Sequence, residues 1–149
     1  MLIKFTIAGN PQGKARPRFK KINDKVLAFT PTKTRGYETK VRNEYKETIR
    51  YKFPKDIPIA VAIIAYYKIP KGISKIKRKE MIEGKISPTK RPDSDNVIKT
   101  ILDALNGIAF HDDSQVFRIE FEKRYGEIPM VKVAIANDPI LNEKLAAKY

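Results

Sequence analysis

The sequence predicts one α/β (α+β) domain over residues 1–149, a mixed β-sheet with two main helices packed on it. Three observations carry that reading. Residues 57–69, IPIAVAIIAYYKI, form a near-continuous apolar run with the composition of a central strand buried on both faces. Residues 95–106 place Val97, Ile98, Ile101, Leu102 and Leu105 on one side of a helix turning about 100° per residue. No linker, repeat or low-complexity tract divides the 149 residues, the length of one ordinary domain.

Taken in order, residues 1–8 alternate weakly and are rich in Ile, Phe and Thr, which reads as a strand ended by Gly9-Asn10-Pro11. Residues 13–21, GKARPRFKK, read as a loop crowded with cations. Residues 26–30 read as a short strand, hairpinned with whatever precedes Asn23-Asp24. From 34 to 52 the pattern is helical, with Tyr37, Val41, Tyr45 and Ile49 on one side as core, and Phe53-Pro54 closing it. The strand at 57–69 ends at Pro70 and Gly72. Ser74 caps a short basic helix at 75–82, readable as a DNA-facing arm or as a solvated connector. After Arg91-Pro92 the second main helix runs to about Asn106. Residues 117–125 alternate, with Phe117, Ile119 and Phe121 on one face, and 131–136 read as their hairpin partner. Residues 139–149 read as a short terminal helix.

Composition narrows the chemistry. With no cysteine, disulfides, thiol nucleophiles and cysteine zinc sites are excluded, and a lone histidine, His111, excludes any site that needs two. A bound metal must therefore take oxygen ligands, which points to magnesium or manganese. The formal net charge of +14, from 31 Lys+Arg against 17 Asp+Glu, suits a polyanionic partner, and nucleic acid is the commonest. No apolar run is long enough to span a membrane and no signal peptide is visible at the start, so a cytoplasmic location is expected.

Inside this basic chain lies an acidic centre. Asp93 and Asp95 stand at the mouth of the helix that ends near Asn106, and Lys99 follows one turn on. Asp95, Lys99 and Asp103 share the polar face, while Asp93 sits where a carboxylate can cap the helix. A second pair, Asp112 and Asp113, precedes the next strand and returns to the helix start only if the topology brings it there. Caps and i,i+4 pairs are ordinary stabilising devices, worth a few tenths to about 1 kcal/mol each. Several carboxylates gathered without a cation repel one another, however, and phosphodiester hydrolysis uses such a cluster to hold magnesium, with a lysine to balance charge on the phosphate. Lys14, Arg16, Arg18 and Lys20 would project on one side of an extended segment as a row suited to a phosphate backbone, or form a solvated loop. Arg91, beside the acidic centre, is a further candidate DNA contact.

At these residues the chain resembles the RusA family of Holliday-junction resolvases. The resemblance rests on DSDNVIK from Asp93, the following ILDALNG and FHDDSQV, together with IAGNPQGKARPRF and TPTKTRGYE near the start. It implies a RusA-like fold with Asp93, Asp95 and Asp113 as metal-binding catalytic carboxylates, Asp112 as a fourth candidate and Lys99 as the catalytic lysine. It further implies a homodimer with two active sites, magnesium with manganese able to substitute, no small-molecule cofactor, and paired nicks in a four-way junction that leave 5′-phosphate and 3′-hydroxyl ends. The PD-(D/E)-x-K nuclease pattern is rejected, because Asp95 lies four residues before Lys99 on a helix rather than two before it on a strand. The competing expectation is a non-catalytic nucleic-acid-binding module whose aspartates only brace the helix. A nuclease for some other branched structure is a third.

Overall fold

The structure, a computed structural model, describes residues 1–137, so the helix expected at 139–149 lies outside them. The chain starts with β1, Leu2–Ala8, where Ile3, Phe5 and Ile7 point inward and Lys4 and Thr6 outward, the period-2 pattern of a half-buried strand. Next come β2, Arg18–Ile22, and β3, Lys25–Phe29, an antiparallel hairpin. Its turn residues Asn23 and Asp24 both take positive φ, as a two-residue type I′ turn requires. Arg18–Ile22 is thus a strand where the cation density suggested loop. Every residue of the hairpin is exposed, so no buried face marked it in the sequence.

Helix α1, Thr32–Thr48, begins directly after Pro31 and stops short of the expected residue 52. Ile49 is already extended, and Tyr45 donates from its hydroxyl to the Tyr51 carbonyl (2.7 Å), which fixes the chain as it leaves the helix. Gly36 sits exposed inside α1 with no atom within 4 Å of where a Cβ would stand. Gly36→Ala is therefore expected to raise stability by about 0.5–1 kcal/mol, read from the urea unfolding midpoint.

Strand β4, Ile59–Lys68, is buried along almost its whole length and has a neighbour on each side. Helix α2, Lys75–Ile82, is capped by Ser74, whose Oγ accepts from the Lys77 amide. Helix α3, Ser94–Leu105, turns Val97, Ile101, Leu102 and Leu105 inward, as its periodicity predicts. A short 3-10 turn, Asp113–Gln115, leads into β5, Val116–Gly126, and β6, Met130–Ala136, completes the described chain. Among the described residues four strands form one mixed sheet in the order β1-β6-β4-β5.

This order corrects one expectation. β5 and β6 do not pair as a hairpin, since β4 lies between them, antiparallel to β6 and parallel to β5. Residues 127–129 cross the end of β4, and three extended residues span about 10 Å, the width of two strand spacings. Either arrangement suits so short a connection, and alternation does not tell a strand which neighbour it has.

The helix-facing side of the sheet packs Ile3, Phe5, Ile7, Val61, Ile63, Val133 and Ile135 against Val41, Tyr45, Val97, Ile101 and Leu105. Two long helices thus cover one face of a mixed sheet, the α+β arrangement the sequence predicts. The link from β4 to its parallel neighbour β5 runs through α2 and α3, so α3 returns antiparallel to both strands. That direction decides where the acidic residues fall.

Candidate active site

The first acidic pair stands at the carboxyl end of β4. Tyr67, near the end of that strand, donates from its hydroxyl to the Pro92 carbonyl (2.9 Å) and fixes the entry to α3. Its pKa is pushed up to about 12, by burial first and then by the neighbouring Asp93 charge. The Arg91–Pro92 peptide is cis. Asp93 is the N-cap residue in extended conformation, yet its side chain makes no capping hydrogen bond. Its carboxylate is exposed and available, which replaces the capping role allowed by the sequence. Asp95 is exposed in the first turn, and Lys99 is exposed one turn further along.

The N-terminal loop closes over this end of α3. The Lys14 amide donates to the Asn96 carbonyl (3.2 Å) and the Ala15 amide to Thr34 Oγ1 (3.1 Å). Gly13 permits the approach, because a Cβ there would lie 2.9 Å from the Asn96 Cβ and 3.0 Å from the Pro92 Cβ. Gly13→Ala is expected to push the loop off α3, costing about 1–3 kcal/mol of stability and weakening DNA binding. Urea unfolding and fluorescence anisotropy check the two effects.

Between loop and helix is a cleft of about 410 Å³ lined by Gly13, Lys33, Thr34, Arg91, Asp93 and Asn96 among others. The first turns of α1 and α3 both contribute to it beside the cationic Lys33 and Arg91, and helix starts with cations nearby suit a phosphate.

Lys14, expected in an outward row with Arg16, Arg18 and Lys20, turns inward instead. Its ammonium is ion-paired to Asp103 on α3 and to Glu38 on α1, the latter at 3.4 Å. Asp103 is thereby engaged by Lys14. Burial opposes the Lys14 charge, but the hydrogen bond to Asp103 and the charges of Asp103 and Glu38 outweigh it, leaving the pKa above the ordinary 10.5. A raised pKa means that the tie is at full strength below that ordinary value and fades only as pH climbs through the raised one. Lys14→Ala, which strands two carboxylates side by side, is expected to cost about 1–3 kcal/mol, equally at pH 6 and pH 9, in urea unfolding. Arg18 and Lys20 are exposed on β2, and Arg16 is exposed in the loop before it.

The second acidic pair lies elsewhere. Asp112 caps the short turn, its Oδ1 accepting from the Ser114 amide (2.9 Å), while Gln115 Oε1 accepts from the Asp112 amide to complete a capping box. The bond from Ser114 holds the Asp112 carboxyl below its ordinary pKa. Gln115 Nε2 donates to the carbonyls of Pro54 and Ile57, which anchors the loop beside the start of β4. The role of Gln115 was missed in the sequence, although the spacing Asp112-x-x-Gln115 is a capping-box signature. Asp113 is exposed and directed by this turn.

The two pairs therefore stand at opposite ends of the domain. They are separated by the length of α3, about 18 Å at 1.5 Å per residue. The topology that would return Asp112 and Asp113 to the start of the helix is not adopted, because β5 begins beside the start of β4 whereas α3 begins beside its end. Among the described residues, no three His, Cys, Asp or Glu side chains come together as a metal-holding group. None of the described helices is long and apolar enough to cross a membrane.

Known proteins resemble this chain in sequence. The family model for endodeoxyribonuclease RusA matches residues 8–136, which takes in both acidic pairs, Lys99 and strands β2 to β6, with only the last residue of β1. The chain belongs to the RusA endodeoxyribonuclease family. It is 36% identical over 139 residues to the uncharacterized protein YqaN of Bacillus subtilis (strain 168), covering 89% of this chain and 94% of that one. It is 25% identical over 136 residues to the crossover junction endodeoxyribonuclease rusA of Lactococcus phage r1t, with the same coverage. As a RusA endodeoxyribonuclease, the protein hydrolyses DNA phosphodiesters, so a cleft that joins two helix N-termini to exposed carboxylates is a fitting place for the reacting phosphate.

Proposed function

We propose that this RusA-family chain is a magnesium-dependent resolvase of four-way DNA junctions, serving recombination and repair, and that it works as a homodimer. Each active site is built from Asp93, Asp95 and Lys99 of one copy and Asp113 of the other. The observation that carries this reading is the exposure of both acidic pairs at opposite ends of a single chain. Neither pair alone gives a hard cation the several oxygen ligands it needs, and a second copy can supply the missing carboxylate.

The donor set fits a hard divalent cation, since it consists of carboxylates in a chain with no cysteine and one histidine. Asp93 and Asp95 would hold the ion with Asp113 of the second copy, while Asp112 keeps the Asp113 loop in shape. When bound, magnesium, or manganese in its place, supplies Lewis-acid polarisation of the phosphate and lowers the pKa of a water. The remaining work falls to the protein. The N–H groups at the starts of α1 and α3, with Lys33 and Arg91, seat the phosphate backbone. Lys99 balances the negative charge that builds on the phosphate oxygens as water attacks phosphorus. Cleavage of the P–O3′ bond leaves the phosphate on the 5′ end and a proton on the departing 3′ oxygen. Arg16, Arg18 and Lys20 hold the duplex arms beyond the cleft. Two such sites related by a two-fold axis match a junction that needs two symmetry-related cuts.

The test is nicking of a labelled synthetic four-way junction beside linear duplex, in magnesium and then in EDTA. Paired cuts in the junction, dependent on magnesium and absent from the duplex, are expected. Tight binding without cuts in either condition would make the protein a binding module, and equal cutting of both substrates would remove the junction preference.

A further inference from the structure

The core makes no use of the β2–β3 hairpin, since every residue of its two strands is exposed. An isolated two-stranded hairpin is marginal in water, so one that also displays large apolar side chains calls for an occupant. Phe19 is 70% and Val26 66% exposed. Register sorts the side chains between two faces. Phe19 pairs with Ala28 and Lys21 with Val26, so these four share one face. The cation among them, Lys21, is already met by Asp24 at the turn (3.1 Å), which leaves Phe19 and Val26 as an uncharged surface. The opposite face carries Arg18, Lys20 and Lys25, with Ile22, Leu27 and Phe29 between them.

Both roots of the hairpin are held at the candidate active site. Shortly before β2 the Ala15 amide donates to Thr34 Oγ1, and shortly after β3 Pro31 opens α1, whose Lys33 and Thr34 line the cleft together with Asp93. Five extended residues reach about 16 Å, more than the width of a major groove, about 12 Å. The hairpin therefore extends from the rim of the phosphate-seating cleft far enough to enter the nucleic acid being cut.

We propose that the uncharged face of this hairpin enters the branch point of a DNA junction, where Phe19 stacks on a base pair at the end of an arm while Arg18, Lys20 and Lys25 meet the phosphates alongside. The proposal rests on the junction-resolvase reading above and names the element that senses the branch. Charge selects DNA as the occupant. The hairpin sets Arg18, Lys20, Lys21 and Lys25 against one carboxylate, Asp24, a balance that repels a second hairpin and attracts a polyanion. The apolar face selects the branch point within that DNA. A linear duplex offers phosphates but keeps its base faces covered by stacking. At a branch the stack of each arm is interrupted, so an apolar side chain reaches a base face at less cost. Lys33 and Arg91 in the cleft answer to backbone phosphates, which duplex and junction share. Preference for a junction needs a group that meets bases, and Phe19 is placed to do so.

The chain has no tryptophan, so the indole of Phe19→Trp reports on that position alone. In EDTA, which keeps the DNA uncut, its emission is expected to be quenched by a synthetic four-way junction and left nearly unchanged by linear duplex of the same length. Phe19→Ala is expected to lower junction affinity about 10-fold, to leave duplex affinity unchanged, and to keep the wild-type circular dichroism spectrum because the side chain is exposed. Equal quenching by both substrates would make the hairpin a groove-binding ribbon and overturn the proposal, as would an indole that neither substrate quenches. A Phe19→Ala protein with the wild-type ratio of junction to duplex affinity would overturn it while the junction reading stands. A changed sedimentation of DNA-free Phe19→Ala would assign the face to a contact between copies instead. Wild-type protein that binds and cuts duplex as well as junction removes the junction reading and this one with it.

Discussion

Asp95→Asn is expected to lower the rate of junction cleavage by at least about 10²–10³-fold while leaving junction affinity equal or higher. The substitution keeps the shape and removes the charge. Asp95 lies in the first turn of α3 with its side chain in solvent, so neither the core nor a hydrogen-bond network depends on it. Loss of a negative charge beside a phosphate-seating cleft cannot weaken the attraction for DNA, and in magnesium-free buffer it should strengthen it. Single-turnover cleavage and a binding titration in EDTA separate the two quantities. Normal cleavage by Asp95→Asn would take that residue out of the site, and loss of binding would make its role structural.

Asp113→Asn is expected to lose cleavage to a similar degree, although Asp113 lies at the far end of the same chain. Its neighbour Asp112 forms the cap of the turn, and Gln115 anchors that turn to Pro54 and Ile57. With the turn intact, an exposed Asp113→Asn should leave stability within about 0.5 kcal/mol of the wild type. Asp112→Ala removes the cap instead, which disturbs Asp113 and costs about 1 kcal/mol. The pair of variants therefore separates a group that acts on substrate from one that shapes its loop. Equal stability with a loss of at least about 10²-fold in cleavage places Asp113 in the chemistry.

Much of this architecture was legible beforehand, and the exceptions share a cause. β4 and α3 were readable because burial on both faces, and burial on one helical face, leave distinct periods in sequence. The Ser74 cap and the Asn23-Asp24 turn were readable because such chemistry is local. Arg18–Ile22 was not, because a fully exposed hairpin leaves no apolar alternation. The inward turn of Lys14 depends on Asp103, 89 residues later, and a loop carries no sign of such a partner. The separation of the two acidic pairs follows from β5 running parallel to β4, and strand direction leaves no mark in a strand's own residues. Asp93, Asp95 and Lys99 could be found from one helix turn, whereas the place of Asp113 required the whole topology.

The composite site is tested most directly by a heterodimer that carries Asp95→Asn in one copy and Asp113→Asn in the other, purified through two different tags. If each site draws on both copies, one of the two sites in this heterodimer holds both substitutions and the other holds neither. Each parent homodimer should be silent, and the heterodimer should nick one strand of the four-way junction in magnesium. A heterodimer as silent as its parents, at equal junction occupancy, would contradict the shared site and return all the carboxylates to a single chain.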